Sequence, residues 1–352
     1  MHSHSSKPQR RGRVRQQNRP WDFYAYPYRN LLWPIRGKPE ERLRQIVAKM
    51  ICASGRYSRG MTQLCSDVRV SPLPGTAKVG DTYILFEHHG PWSHDILDGG
   101  TFDKETSAAL KAMGCGFYLI RRHGREGRIE RPKKTAYLVF GSAGIAEKLM
   151  VDDVTDLLKL DVSGPGKNRQ FGAEQEAQPI ILVCTHAKRD ACCAIKGRPM
   201  AQALTEEFPD SPVWECSHTK GHRFAPSMVL MPWGYTWGQL NKPAAFDMYR
   251  YAQRGQLFLP GNRGRGIWPM KGQIAEVAVA QQLAQEGETV TLGQLRVESI
   301  EEAQAHVADS HTARTWTVFL REEVVAGIVD SCHKPPKTGT AWVADRVKEN
   351  GA

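Results

Sequence analysis

The segment that decides the fold is Pro179–Leu240, PIILVCTHAKRDACCAIKGRPMAQALTEEFPDSPVWECSHTKGHRFAPSMVLMPWGYTWGQL. It contains four of the chain's eight cysteines and three of its twelve histidines, which are Cys184, Cys192, Cys193, Cys216, His186, His218 and His222. An apolar run predicts a strand over 180–183 that ends at Cys184, and an amphipathic helix is predicted to begin at Cys192. A second apolar run, 213–216, predicts the strand before the last two histidines. Thiolates and imidazoles that converge at strand ends are typical of a metal site.

The elements after this segment predict an α/β protein with a thioredoxin-like core. SMVLMP and YTWGQL suggest a β-hairpin that turns at Trp233-Gly234, and helices are expected at about 243–254 and 271–286. Strand, helix and strand, then a hairpin, then a helix, is the order of a thioredoxin-like core.

A preceding α/β half and a small C-terminal α+β cap complete the predicted architecture. In the first half, TYILFE, GFYLIRR and AYLVF are expected strands, 102–113 an expected helix, and 143–160 largely helical. The C-terminal cap is expected to contain the strands TVTLGQLRV and TWTVFLREEVVAGIV, with a charged helix at Ile300–Ala308 between them and a polar tail from Lys334. The predicted units are a basic, disordered or loosely packed extension (1–60), an N-terminal α/β subdomain (61–170), a thioredoxin-like domain (171–287) and the cap with its tail (288–352).

The composition and apolar patterning of the sequence indicate which class of protein the chain belongs to. Of the 352 residues, 41% are hydrophobic and 24% are charged, as in ordinary soluble proteins. No apolar run approaches the roughly 18 residues of a membrane helix, and the first residues lack the apolar core of a secretory signal. We therefore expect a cytoplasmic protein without a membrane span.

The net charge of +11 is concentrated at the N-terminus, because residues 1–38 contain nine basic residues and one acid. Nucleic-acid binding is therefore expected only through this tail.

In a chain that is expected to be cytoplasmic, eight cysteines do not predict a disulfide framework. Four of them are scattered, and each is interpreted as a small core residue: Cys52, Cys65, Cys115 and Cys332. The sequence has no Cys-x-x-Cys, which argues against a dithiol oxidoreductase of the thioredoxin type.

The spacing of the central residues leaves three alternatives open. Cys184 and Cys193 form a C-x8-C pair, and His218 and His222 form an H-x3-H pair. The H-x3-H spacing occurs in structural zinc sites, but C-x8-C is wider than their usual cysteine spacing. The alternatives are a metal site, a set of two core cysteines and two surface histidines, and a thiol redox protein that uses Cys192 and Cys193.

The chain resembles the sucrase/ferredoxin-like proteins, which are thioredoxin-like ferredoxins. The resemblance rests on CTHAKRDACCA and CSHTKGHRFAPSMVLMP, with support from PLPGTA, GPW and RGRG…QIAEVAVA, and covers roughly residues 65–285. It implies a [2Fe–2S] cluster held by two cysteines and two histidines, which correspond here to Cys184, Cys193, His218 and His222. Cys192 is the substitute for Cys193, since the two thiols are adjacent.

The resemblance also implies an electron-transfer or redox-sensing protein rather than an enzyme with its own substrate. A structural zinc-binding interaction module is the alternative from another class. We expect a redox protein as partner, of acidic character, because basic residues surround the predicted site: Lys188, Arg189, Lys196, Arg198, Lys220 and Arg223. Cys216 is expected to be a packed core thiol or to lie beside the site. His186 is expected to form hydrogen bonds or to face solvent rather than to act as a ligand, and GNRGRG (261–266) is expected to form a structural turn.

Overall fold

Two β-sheets and four α-helices make up residues 64–351, which are the residues that this computed structural model describes. The predictions for the basic N-terminal extension, and for Cys52, lie outside these residues. The helices are α1 (Lys104–Ala112), α2 (Ala191–Glu207), α3 (Lys242–Gln253) and α4 (Met270–Gln285).

The two sheets differ in size, with ten strands in the larger and four in the smaller. The strands of the larger sheet are β1 (Thr82–Glu87), β2 (Gly116–Arg121), β3 (Lys134–Phe140), β4 (Ile145–Val151), β5 (Glu174–Gln175), β6 (Ile180–Cys184), β7 (Val213–Cys216), β8 (Ser227–Met231), β9 (Tyr235–Gly238) and β10 (Asn262–Arg265). The strands of the smaller sheet are β11 (Leu295–Ile300), β12 (Gln304–Asp309), β13 (Thr315–Ile328) and β14 (Lys337–Asn350).

The larger sheet is built from two halves with the same topology. In the first half, β1 is parallel to β2 across helix α1, and antiparallel to β3, which pairs with β4. In the second half, β6 is parallel to β7 across α2, and antiparallel to β8, which pairs with β9. The halves join where β2 and β7 pair antiparallel, with Ile120 opposite Cys216. One sheet with the order β10-β9-β8-β6-β7-β2-β1-β3-β4-β5 therefore spans both predicted α/β units.

The core lies on both faces of this sheet because side chains alternate along each strand. On one face, Tyr83 and Leu85 of β1 belong to a buried cluster that also contains Cys184, Cys193 and Trp214. On the other face, the intervening residues of β1 pack under α1. The thiols of the predicted site are thus part of a dry core.

Three of the four helices begin at a side-chain cap. Asp103 accepts a hydrogen bond from Thr106 N (2.8 Å), Asp190 from Cys192 N (2.9 Å) and Asn241 from Ala244 N (3.0 Å). Such caps satisfy amide groups that have no partner in the first helical turn. Helix α4 lies between the two sheets and contacts β10 and all four strands of the smaller sheet.

Most predicted elements of the α/β core are confirmed. The strands around Cys184 and Cys216, the helices and the hairpin all form, and Gly234 adopts a left-handed φ of 77° at the predicted turn. The chain has mixed α/β content, and none of the described helices is long and apolar enough to cross a membrane. The proposed boundary between residues 170 and 171 stays a prediction.

Three predictions of secondary structure are wrong. Residues 145–151 form β4 rather than a helix, with every residue opposite a partner in β3, and a 3-10 helix follows at Val154–Lys159. Most of β12 lies in the predicted helix Ile300–Ala308, and the expected polar tail is mostly β14, which pairs along most of β13. In each case pairing with a neighbouring strand overrides local helix propensity or polar composition.

Glu276 on α4 makes the stability of this fold pH-dependent. Its carboxyl is fully buried and accepts a hydrogen bond from the hydroxyl of Tyr235 (2.5 Å). Burial raises the pKa of Glu276 to about 7, from an ordinary value of 4.5. Because the folded state holds this proton more tightly than the unfolded state, the stabilisation is complete below pH 4.5 and is lost as the pH rises through about 7. The loss amounts to about 3 kcal/mol.

We predict that Glu276→Gln removes this pH dependence, since the amide oxygen still accepts from Tyr235 and carries no charge. The measurement is the free energy of unfolding in urea at about pH 5 and about pH 8. Glu298→Gln, an exposed change on β11, should leave the difference as in the wild type. An equal pH dependence in Glu276→Gln and wild type would contradict the assignment.

Candidate functional site

The candidate metal site forms where the start of α2 packs against the end of β6. Cys184 is the last residue of β6, and Cys193 lies in the first turn of α2. One turn further, Gly197 faces the strand so closely that a Cβ at this position would overlap the carbonyl oxygen of Cys184. The absence of a side chain therefore allows the helix to approach the strand and brings the two thiols together.

Cys184, Cys193 and His218 form one group, because their ligand atoms all lie within 4.8 Å of one another. Both cysteines are buried and His218 is half-buried. Cys192 points elsewhere and belongs to a different group. The geometry thus favours Cys193 over its neighbour as the partner of Cys184.

His222 stands next to this group rather than in it. Its ring stacks on that of His218, with centroids 5.5 Å apart and an interplanar angle of 28°. The segment between the two histidines is a loop followed by a short 3-10 helix, so the H-x3-H pair does not lie on one α-helical face.

The imidazole nitrogens have the hydrogen-bonding state that a metal site requires. His222 Nε2 is 2.6 Å from the carbonyl oxygen of Asp330, and because a carbonyl only accepts, this nitrogen carries the proton. In the neutral tautomer with this bond, Nδ1 of His222 has a lone pair. Within residues 64–351, Nδ1 of His222 and Nδ1 of His218 are buried without a hydrogen-bond partner. Buried polar atoms normally have partners, so these two nitrogens fit the role of ligands.

A buried arginine holds the histidine loop in place. The guanidinium of Arg263 on β10 donates to Ser227 Oγ (2.9 Å) and Thr76 Oγ1 (2.9 Å), and lies 3.4 Å from the carbonyl oxygen of Lys220. A Cβ on Gly221 would overlap this guanidinium. GNRGRG is therefore a structural strand where a structural turn was expected, since its two arginines bind backbone carbonyls and hydroxyls of the core.

Lys220 stands between the two histidines. Its φ is 54°, in the left-handed region that favours glycine. A non-glycine residue in this region costs about 1 kcal/mol or more.

The two cysteine thiols differ in acidity. The hydrogen bond between them and the contacts of Cys184 with His218 and with the backbone N–H of His186 hold the pKa of Cys184 well below its ordinary range. The same hydrogen bond, with burial, raises the pKa of Cys193. Burial and the neighbouring Cys184 raise the pKa of Cys216, which stands beside Cys184 in the parallel β6–β7 pair. Of the pair, Cys184 is therefore the more acidic thiol.

The loop with the GPW motif covers one side of the site. His186 Nε2 donates to the carbonyl oxygen of Ser93 (2.8 Å), and its ring meets that of Trp92 edge to face. Arg121 also lies over the ring of Trp92, 4.2 Å from its centroid. These contacts occupy Nε2 of His186 and cover its ring.

An open cleft of about 640 Å³ adjoins His218. Its lining includes four basic residues, which are Lys78, Lys111, Arg189 and Lys220. Two of the basic residues expected around the site form ion pairs, Lys196 with Asp67 and Arg223 with Asp330. Three others are exposed, which are Lys188, Arg198 and Lys220.

Sequence reasoning missed a second group of candidate ligands, formed by Cys65, Asp190, Cys192 and Cys332. From the sequence, Cys65 and Cys332 are interpreted separately as core residues. They are 267 positions apart in the chain, and spacing alone gives no signal that they meet. Groups of Cys, His and Asp side chains near one another, such as these two, could hold a metal ion.

A model of the family described as sucrase/ferredoxin-like matches residues 73–321. The chain belongs to the sucrase/ferredoxin-like family. The matched range contains Cys184, Cys193, His218 and His222, and excludes Cys65 and Cys332. Searches of the curated proteins and of the solved structures found no match. The family thus spans the first group of ligands completely and the second only in part.

We predict that Arg263→Met destabilises the protein by about 2–4 kcal/mol, because it leaves buried hydroxyl and carbonyl groups without their donor. Urea denaturation measures the loss, and hydrogen exchange should rise in the loop around Lys220. Arg254→Met, an exposed change after α3, should stay within about 0.5 kcal/mol of wild type. Equal stability of the two variants would show that Arg263 does not hold the loop.

Proposed function

We propose that this chain binds one [2Fe–2S] cluster through Cys184, Cys193, His218 and His222, and acts as an electron carrier or redox sensor. The observation that carries the proposal is the convergence of two buried thiols with two stacked imidazoles whose Nδ1 atoms have no partner among the described residues. Membership of the sucrase/ferredoxin-like family supports it.

Four ligands of this kind suit a two-iron cluster better than a single ion. Three ligand atoms lie within 4.8 Å of one another, but His222 falls outside this group although its Nδ1 is the free nitrogen. A pair of cysteines and a pair of histidines, one pair for each iron, is the ligand set of Rieske-type centres. The four candidate ligands are spread more widely than the ligands of a single ion, which is consistent with a two-iron cluster.

The bound cluster would supply one-electron chemistry, and the residues of this chain would set its potential. Neutral imidazoles in place of two thiolates make the site less negative, which raises the reduction potential. Cys184 and Cys193 lie in the dry core, while His218 and His222 are half-buried, and the open cleft adjoins His218. The histidine side is therefore the side from which an electron would enter or leave, and imidazole can release a proton with it.

The partner we propose is an acidic redox protein. The cleft next to His218 contains Lys78, Lys111, Arg189 and Lys220, against Asp81 and Asp95. Exposed Lys188 and Arg198 lie near the same ligand-bearing turn and helix. Complementary charge of this kind steers encounter and sets its orientation.

The proposal also includes the fold of the ligand-bearing domain and the location of the protein in the cell. The order β6, α2, β7, hairpin and helix supports a thioredoxin-like ferredoxin domain at residues 171–287. The cysteine usage of the sequence favours the cytoplasm.

Zinc at the same group is the second candidate, because ligand atoms within 4.8 Å of one another also suit a single ion. A thiol reaction of Cys192 with Cys193 has less support. The sulfur of Cys192 lies 3.4 Å from that of Cys65 and 3.2 Å from that of Cys332, so the adjacent thiols face different neighbours.

We predict that anaerobically purified protein is coloured and contains about two irons and two inorganic sulfides per chain. Cys193→Ser and His218→Ala should lose the colour and the iron, because each removes a ligand. Cys192→Ser and Cys115→Ser should keep both. Visible absorption, electron paramagnetic resonance after reduction, and elemental analysis measure the outcome.

A colourless protein with one zinc at this group would replace the proposal with the second candidate. Iron content that falls equally in Cys192→Ser and Cys193→Ser would contradict the ligand assignment.

We predict further that His218→Cys keeps the cluster but lowers its reduction potential, because a thiolate adds negative charge where the imidazole was neutral. The expected shift is on the order of 100 mV or more. A spectroscopic redox titration measures it, with Cys115→Ser as the control. An unchanged potential in a variant that has retained iron would show that His218 is not a ligand.

A further inference from the structure

The second ligand group joins three distant parts of the chain. Cys65 precedes β1, Asp190 and Cys192 begin α2, and Cys332 lies in the turn between β13 and β14. The sulfur of Cys192 is 3.4 Å from that of Cys65 and 3.2 Å from that of Cys332, and the remaining sulfur pair is 3.8 Å apart. All four ligand atoms lie within 4.8 Å of one another.

We propose that this group binds one Zn²⁺ ion through the three thiolates and the carboxylate of Asp190. In a tetrahedral site with Zn–S bonds of about 2.3 Å, sulfur atoms are about 3.8 Å apart. The observed sulfur distances of 3.2–3.8 Å approach this value. Asp190 oxygens lie 3.1 Å from the sulfur of Cys332 and 3.8 Å from that of Cys65, so the carboxylate takes the fourth corner.

The hydrogen bonds that Asp190 accepts hold the residues of the second group near one another. Its Oδ1 accepts from Cys192 N (2.9 Å), and its Oδ2 accepts from Cys332 N (3.0 Å) and Ser331 Oγ (3.0 Å). The carboxylate therefore positions two of the three cysteines through their backbones. Hydrogen bonds that orient a ligand in this way are typical of protein metal sites.

The buried surroundings of the group suit a bound cation. Asp190 is 6% exposed, Cys65 is 1% exposed and Cys192 is fully buried, and apolar Leu64, Ala225 and Val329 pack around them. A buried carboxylate is stabilised by a positive ion beside it, and a bound Zn²⁺ displaces the protons of its thiol ligands. The start of α2 offers only a partial positive charge, whereas Zn²⁺ supplies two full charges at the centre.

A disulfide accounts for fewer of these observations. It would join two of the three sulfurs and leave the third as a buried thiol. The zinc site uses all four groups and ties the segment before β1 and the β13–β14 turn to the start of α2. It is independent of the proposed cluster, with which it shares no ligand.

The decisive experiment is zinc binding in a full-length chain whose first group is disabled by Cys184→Ser and His218→Ala. After metal removal under reducing conditions, this protein is titrated with Zn²⁺, and with Co²⁺ to display thiolate charge-transfer absorption. We expect one bound equivalent. Adding Cys65→Ser and Cys332→Ser should weaken binding at least about 100-fold, whereas adding Cys115→Ser should not change it.

A second measurement uses the chain with its first group intact. Zinc in the protein as purified should be lost in Cys65→Ser/Cys332→Ser while iron at the first group is retained, so failure of the zinc proposal and failure of the cluster proposal are distinguishable. Equal zinc affinity in Cys65→Ser/Cys332→Ser and Cys115→Ser would overturn the proposal. It would also be overturned if zinc-free protein as purified contained a disulfide within this group, seen as the loss of two hydrogens in the intact mass.

Discussion

The first turn of α2 is the constraint on which both ligand groups depend. Successive residues of an α-helix are rotated by about 100°, so the adjacent thiols of Cys192 and Cys193 leave the helix in different directions. Gly197 sets the distance of this helix from β6, and Asp190 caps its start. Cys193 therefore reaches Cys184, while Cys192 reaches Cys65 and Cys332. A side chain at position 197 would push the helix away and disturb both groups together.

The duplicated sheet places different chemistry at equivalent strand ends. Glu87 ends β1 in the first half, where Cys184 ends β6 in the second. The carboxylate of Glu87 serves the fold, accepting from Thr135 N (2.9 Å) and pairing with His89 (3.2 Å). Cys184 instead faces a thiol and an imidazole. The residue at this strand end thus stabilises the fold in one half and is a candidate ligand in the other. This difference fits the rule that function belongs to sites rather than to folds.

The sequence is informative where the signal is local. The strands ending at Cys184 and Cys216, and the hairpin at Gly234, follow from short apolar runs and a turn glycine. Strand β4 is missed because its Ala, Glu, Lys, Leu and Met residues also favour helices, and only the pairing with β3 decides the outcome. The meeting of Cys65 with Cys332 is missed for a stronger reason. A contact across 267 positions leaves no periodicity to read, and isolated cysteines are ordinary core residues.

The β13–β14 turn connects the two groups physically. The carbonyl oxygen of Asp330 accepts from His222 Nε2, and two residues later Cys332 takes part in the second group. The ion pairs of Asp330 with Arg223 and Lys337 are largely exposed, and such pairs contribute little to stability. The turn is held by the pairing of β13 with β14 and by the hydrogen bonds of Asp190 with Ser331 and Cys332. The turn therefore contacts both sides of the start of α2, because Asp330 binds His222 beside the first group and Cys332 contributes its thiol to the second.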